Sequence, residues 1–143
     1  MKTILILLTF LVSLYSDTKL ASPIPTIDNP RKILFSIIKE DDKLAHHILT
    51  SANNVLKYYG PEKVHMKIVV YSEAIRALLK SETKFKARIE ALMLYDVEFV
   101  TCANTMRTKG ITKEMLLDDI EIVTAGIVEL IERVKEGWVY IKP

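Results

Sequence analysis

The chain holds one cysteine, Cys102, in 143 residues, together with one tryptophan, four glycines and three histidines. A single thiol excludes any intramolecular disulfide, so Cys102 is core filler, a partner for another molecule, or a reactive group. Three histidines and one cysteine without ligand spacing argue against a structural zinc site. His46 and His47 are adjacent on a predicted helix, where their side chains diverge by about 100°, and His65 opens a predicted strand at the surface. The glycines form neither a GxGxxG nor a P-loop pattern, and no Ser/His/Asp set follows from spacing. No metal or cofactor is therefore expected. An excess of one charge is missing too: 20 Lys and Arg against 18 Asp and Glu give +2, with the basic residues scattered among the acidic ones. That balance makes no electrostatic case for nucleic acid.

Long hydrophobic runs are scarce. One stands out, Ile4 to Val12, preceded by Lys2 and extended through Ser16. A positive start and a short apolar stretch have the layout of a secretory signal peptide, and the run is shorter than the roughly 20 apolar residues that span a bilayer. Small residues at Ser13, Ser16, Ala21 and Ser22 leave the cleavage site undefined. Residues 1–22 are thus a signal peptide or, uncleaved, an N-terminal anchor, the one case in which the chain meets a membrane. Export to the periplasm or the extracellular space is expected. Residues 23–31, with Pro23, Pro25 and Pro30, read as a linker. Residues 32–143 make one domain large enough for a real core.

Within that domain strands and helices alternate. Ile33 to Ile38 is a continuous apolar run, as in a strand buried on both faces. Glu40-Asp41-Asp42 favours a helix N-terminus, and Leu44, Ala45, Ile48, Leu49, Ala52, Val55 and Leu56 recur at helical spacing up to Gly60-Pro61. Val64 to Tyr71 is a second strand, with helices over 73–79 and 85–94. Val97 to Thr101 is a third strand and runs into a loop at Cys102. A short helix over 113–117, a brief strand over 120–123, a helix over 125–135 capped by Thr124, and a last strand over 138–141 complete the pattern. Crossover connections of this kind imply a mostly parallel sheet covered on both faces, with ligands beyond the carboxyl ends of the strands. Cys102 lies at such an end.

Its surroundings suit a nucleophile. An ordinary thiol is only a few per cent ionised at neutral pH. Arg107 and Lys109, backbone N–H groups, Asn104 and Thr105 are the candidate stabilisers of a thiolate and the candidate ligand-binding residues. Asn53 and Asn54, mid-helix, are candidate hydrogen-bonding residues of lesser weight. Met66, Met93, Met106 and Met115 fit core packing. Trp138 and Tyr140 share one face of the last strand, where they meet a helix or a subunit neighbour.

From Lys32 to Pro143 the chain resembles the DsrE/DsrF-like sulfur-relay superfamily, including its small YchN-like members. The resemblance rests on Phe99-Val100-Thr101-Cys102-Ala103-Asn104-Thr105 with Gly110 downstream, on Val123-Thr124-Ala125-Gly126, and on the closing Glu136-Gly137-Trp138-Val139-Tyr140-Ile141-Lys142-Pro143. It implies a three-layer α/β/α domain with a five-stranded, mostly parallel sheet, assembled as a homotrimer or hexamer. It also implies sulfur carried as a persulfide on Cys102, as a sulfurtransferase or sulfur carrier, exchanged with a donor or acceptor protein or a small thiol. The characterised relays work in the cytoplasm, so an exported member departs from that pattern. Two other readings of the residues stand beside it: a non-catalytic binding module in which the cysteine is structural, and a structural subunit of an oligomer.

Overall fold

The computed structural model describes residues 17–142; residues 1–16 of the expected leader lie outside the described residues. Five parallel strands form one sheet in the order β4-β3-β2-β1-β5. The chain runs β1 (Arg31–Ile37), α1 (Asp42–Tyr59), β2 (Val64–Val70), a 3-10 segment (Ser72–Leu78), α2 (Lys86–Met93) and β3 (Val97–Cys102). It continues through α3 (Ala103–Lys109), β4 (Glu121–Val123), α4 (Gly126–Lys135) and β5 (Val139–Ile141). The α/β architecture with a parallel sheet is the one expected. Among the described residues, no helix is long and apolar enough to cross a membrane.

Strand alternation divides the core in two. Ile33, Phe35 and Ile37 of β1, Met66, Ile68 and Val70 of β2, and Val97 and Phe99 of β3 point to one face. There they meet Ala45, Ile48, Leu49, Ala52 and Leu56 of α1 and Ile89 and Leu92 of α2. The α1 residues recur at the three- and four-residue steps that keep one helical stripe on the sheet. Asp41 caps α1 by accepting from the N–H groups of Lys43 (2.8 Å) and Leu44 (3.1 Å). Gly60 closes it at φ 87°, in the left-handed half of backbone space that favours glycine.

The opposite face is thinner. Leu34, Val69 and Val100 pack there against Leu130 of α4 and Trp138. Ser36 and Lys67, both buried, share this face. Tyr140 reaches back over it to Ser36, their hydroxyl oxygens 2.6 Å apart. Trp138 and Tyr140 do therefore serve one face, as their alternation predicts.

Several elements differ from the sequence expectation. Cys102 runs into a helix, α3, not a loop. Residues 72–78 form a 3-10 segment instead of an α-helix, as do Lys113–Met115. The N-cap of α4 is Ala125, with no side-chain hydrogen bond, so Thr124 does not cap it. Residues 17–22 of the expected leader touch the domain: the Tyr58 hydroxyl donates to the Thr18 carbonyl (2.9 Å) and Arg31 to the Ala21 carbonyl (2.9 Å).

Candidate functional site

Cys102 ends β3 at a change of direction in the chain path. The helix that follows β3, α3, packs its Met106 into the α1-side core, whereas the helix that follows β4, α4, covers the other face. Adjacent strands whose connections leave on opposite faces open a crevice at their carboxyl ends, the place where open α/β sheets bind ligands. Cys102 pairs with Val123 of β4 at that end of the sheet. Its sulfur thus lies between the first turns of two helices.

An N–H of α3 is bonded to it, and the turn that opens α4 lies beside it. The side chain of Cys102 is the N-cap of α3, accepting from the Thr105 N–H at 3.4 Å. Burial alone would push the thiol up. Hydrogen bonds from the N–H groups of Gly126, Thr105 and Asn104 and from the Thr105 hydroxyl outweigh it and hold the thiol below its ordinary value. The Thr124 carbonyl, 3.8 Å from the sulfur, accepts from the thiol when it is protonated, and the Asn104 N–H bonds the same carbonyl at 3.3 Å. The α3 and α4 turns are thereby tied together around one sulfur, which is 5 % exposed.

The other candidates take distinct places. Asn104 and Thr105 both reach Cys102 through their backbone, and Thr105 also through its hydroxyl. Arg107 donates to the Asn104 side-chain oxygen at 2.9 Å, and Lys109 to Glu73 at 2.7 Å. Both cations are thus engaged with other side chains, and neither is hydrogen-bonded to the sulfur. His46 meets Arg88 at 2.8 Å on the α1–α2 face, away from the thiol; His47, His65 and Asn54 are exposed and Asn53 is half-buried.

Two residues at the site are not among the sequence candidates, although Gly126 lies in the Val123–Gly126 stretch that carries the family resemblance. Tyr71 follows the last residue of β2, and the pairing of Val70 with Thr101 makes it the cross-strand neighbour of Cys102. Gly126, the first residue of α4, is buried beneath the Tyr71 ring: a Cβ there would lie 2.9 Å from the ring carbons Cγ and Cδ1. The Tyr71 phenol is raised above its ordinary value by burial first, then by Tyr140 and Cys102. Placing a register on the strands would have identified Tyr71 from sequence. The contact with Gly126 depends on the fold.

Comparison with known proteins agrees with this architecture. Residues 32–143 match the DsrE/DsrF-like family. Among solved structures, the protein of unknown function MTH1491 from Methanobacterium thermoautotrophicum is 25 % identical, with a TM-score of 0.74 over 79 % of this chain and 99 % of that one. The conserved protein of unknown function BT1422 from Bacteroides thetaiotaomicron shares the fold at 15 % identity, with a TM-score of 0.55 over 78 % of this chain and 95 % of that one. No curated protein matches the chain in sequence. With the family match spanning the whole sheet and every helix that covers it, the chain belongs to the DsrE/DsrF-like family.

Proposed function

We propose that the protein carries sulfane sulfur as a persulfide on Cys102. The observation that carries this reading is the sulfur at the β3 carboxyl end, bonded by the Thr105 N–H in backbone surroundings that favour the thiolate. In the first step the thiolate attacks the outer sulfur of a donor R–S–SH. The donor S–S bond breaks, R–S⁻ leaves, and Cys102–S–SH forms without net oxidation. In the second step an acceptor thiolate R′–S⁻ attacks the outer sulfur, giving R′–S–SH and regenerating the Cys102 thiolate. Donor and acceptor are proteins or small thiols, and no second cysteine of this chain is needed. Asn104 and Thr105 hold the charge. Arg107 orients Asn104, and Lys109, joined to Glu73, borders the entrance.

Mass spectrometry of the reduced, folded protein after exposure to a persulfide donor tests the reading. One added sulfur on wild type and none on Cys102→Ser supports it. An unmodified wild type would sink it.

The 5 % exposure of Cys102 favours a second reading, a binding module in which the thiol serves only to cap α3. Resistance of native Cys102 to small thiol reagents would select that one.

Assembly as a homotrimer or hexamer belongs to the proposal. Ile127, Val128, Ile131 and Val134 of α4 and Val139 and Ile141 of the edge strand β5 are exposed, and a second copy of this chain offers the same aliphatic surface to cover them. Export is part of it as well, on the strength of Lys2 and the apolar run that follows. Fractionation of expressing cells with N-terminal mass mapping of the product decides between a processed and an anchored chain.

A further inference from the structure

Tyr71 and Ser72 touch both groups that hold the Cys102 sulfur. The Tyr71 ring lies on Gly126 so closely that a methyl group there would collide with it. The Ser72 N–H donates to the Thr105 hydroxyl at 3.2 Å. The Tyr71 N–H bonds the Ile37 carbonyl at 3.1 Å, fixing this segment to the end of β1. Ser72 itself stands at φ 59°, a left-handed conformation that a non-glycine residue keeps only when its surroundings enforce it.

We propose that Tyr71 is the positioning residue of the thiol site: its ring packs on Gly126 and holds the first turn of α4 against the Cys102 sulfur. The ring also covers the buried Gly126 backbone, whose N–H favours the thiolate all the more where water is kept out. The consequence extends to catalysis because the proposed persulfide forms on the same sulfur. This assignment rests on the reading of Cys102 as the sulfur carrier.

The test is the pH dependence of Cys102 alkylation by iodoacetamide in the folded protein, for wild type, Tyr71→Phe, Tyr71→Ala and Gly126→Ala. Losing one hydrogen bond to the thiolate raises the midpoint by about one pH unit, a tenfold loss of thiolate on the acid side. Tyr71→Ala shows that rise, and Tyr71→Phe, which keeps the ring, titrates as wild type. Gly126→Ala, approaching the clamp from the other side, shifts the same way and stands in if Tyr71→Ala does not fold. In a Tyr71→Ala background Gly126→Ala adds nothing, because the collision is gone. A merely structural role would lower thermal stability and leave the midpoint alone. An unmoved midpoint in folded Tyr71→Ala or Gly126→Ala overturns the proposal, as does a shift in Tyr71→Phe as large as that in Tyr71→Ala. Sulfur uptake by wild type is measured in parallel. No uptake with shifted midpoints defeats the carrier reading alone, whereas uptake with unmoved midpoints defeats the clamp alone.

Discussion

Lys67, in the middle of β2, places its ammonium 2.9 Å from the carboxylate of Glu98 on β3. The same nitrogen lies 3.0 Å from Glu121 of β4 and 3.3 Å from Glu129 of α4, and Arg133 joins Glu129 at 3.2 Å. One buried cation thus links three elements on the thin face of the sheet. Replacing Lys67 by alanine leaves the carboxylates facing one another, with Glu129 only 13 % exposed. The expected loss is about 2–3 kcal/mol, at the low end for a broken buried pair because Glu98 and Glu121 are open to water. Urea denaturation measures it, and a Lys67→Ala/Glu129→Gln double variant recovers part of the loss. Equal stability of wild type and Lys67→Ala would refute the account.

The same lysine has a sign in pH. Burial lowers its affinity for the proton, but the hydrogen bonds and charges of Glu98 and Glu121 outweigh that and raise it above the ordinary lysine value. A cation whose folded value is raised binds its proton more tightly in the native state. Its contribution is complete below the ordinary lysine range, about pH 10, and fades only as pH rises through the higher folded value. The stability gap between wild type and Lys67→Met should therefore stay level from about pH 7 to 9. A gap that closes within that interval contradicts the raised value.

Cys102 behaves in the opposite sense. Its thiol is depressed in the folded state, so ionisation favours folding. That contribution is present above the ordinary thiol value, about 8.5, and is lost as pH falls through the folded one. Thermal unfolding of wild type and Cys102→Ser compared from about pH 6 to 9 should show wild type gaining on the variant with rising pH. Parallel curves would mean that the amides do not hold a thiolate.

How much of this was legible depended on the distance between cause and effect along the chain. The strands were read well because Ile33–Ile37 and Val64–Val70 declare their burial locally, and α1 because its apolar stripe repeats over its whole length. Helix α3 escaped because only Met106 of its seven residues is buried and its cap is a thiol in place of a serine or aspartate. Cys102 was legible as a strand-end thiol, with Asn104 and Thr105 as its neighbours. Gly126 was not, since it arrives from α4 on the other face of the sheet. Lys67 carries no local signal, because its carboxylates come from 31, 54 and 62 residues away. Arg107 and Lys109 stand near Cys102 in sequence, yet Arg107 bonds the Asn104 amide oxygen and Lys109 pairs with Glu73.

That geometry separates the cations from the thiol experimentally. Arg107→Ala and Lys109→Ala should leave the midpoint of Cys102 alkylation within about 0.3 pH units of wild type, since water screens their charge at the surface. Thr105→Ala, which removes the hydroxyl donor, should raise it. A rise in the cation variants matching that of Thr105→Ala would restore them as the source of the thiolate. If they lower sulfur uptake while leaving the midpoint in place, their role is with the donor or acceptor.

The aliphatic stripe on α4 supplies the last test. Ile127, Ile131 and Val134 recur at four- and three-residue steps, 54, 51 and 47 % exposed, so they form one row that faces away from the sheet. A lone helix on a thin face has no reason to repeat aliphatic residues outward, because each adds cost in water and nothing to the core. Covered by a second copy, the same row stabilises the assembly and shelters the α4 turn that reaches Cys102. Ile131→Asp introduces a charge at the centre of the row, at a residue outside both core clusters. Light scattering across a dilution series should find wild type at a multiple of the chain mass and Ile131→Asp at the single-chain mass, with unchanged circular dichroism. A wild type that is monomeric at the highest concentration rejects the assembly. An Ile131→Asp variant that keeps the multiple moves the contact away from α4.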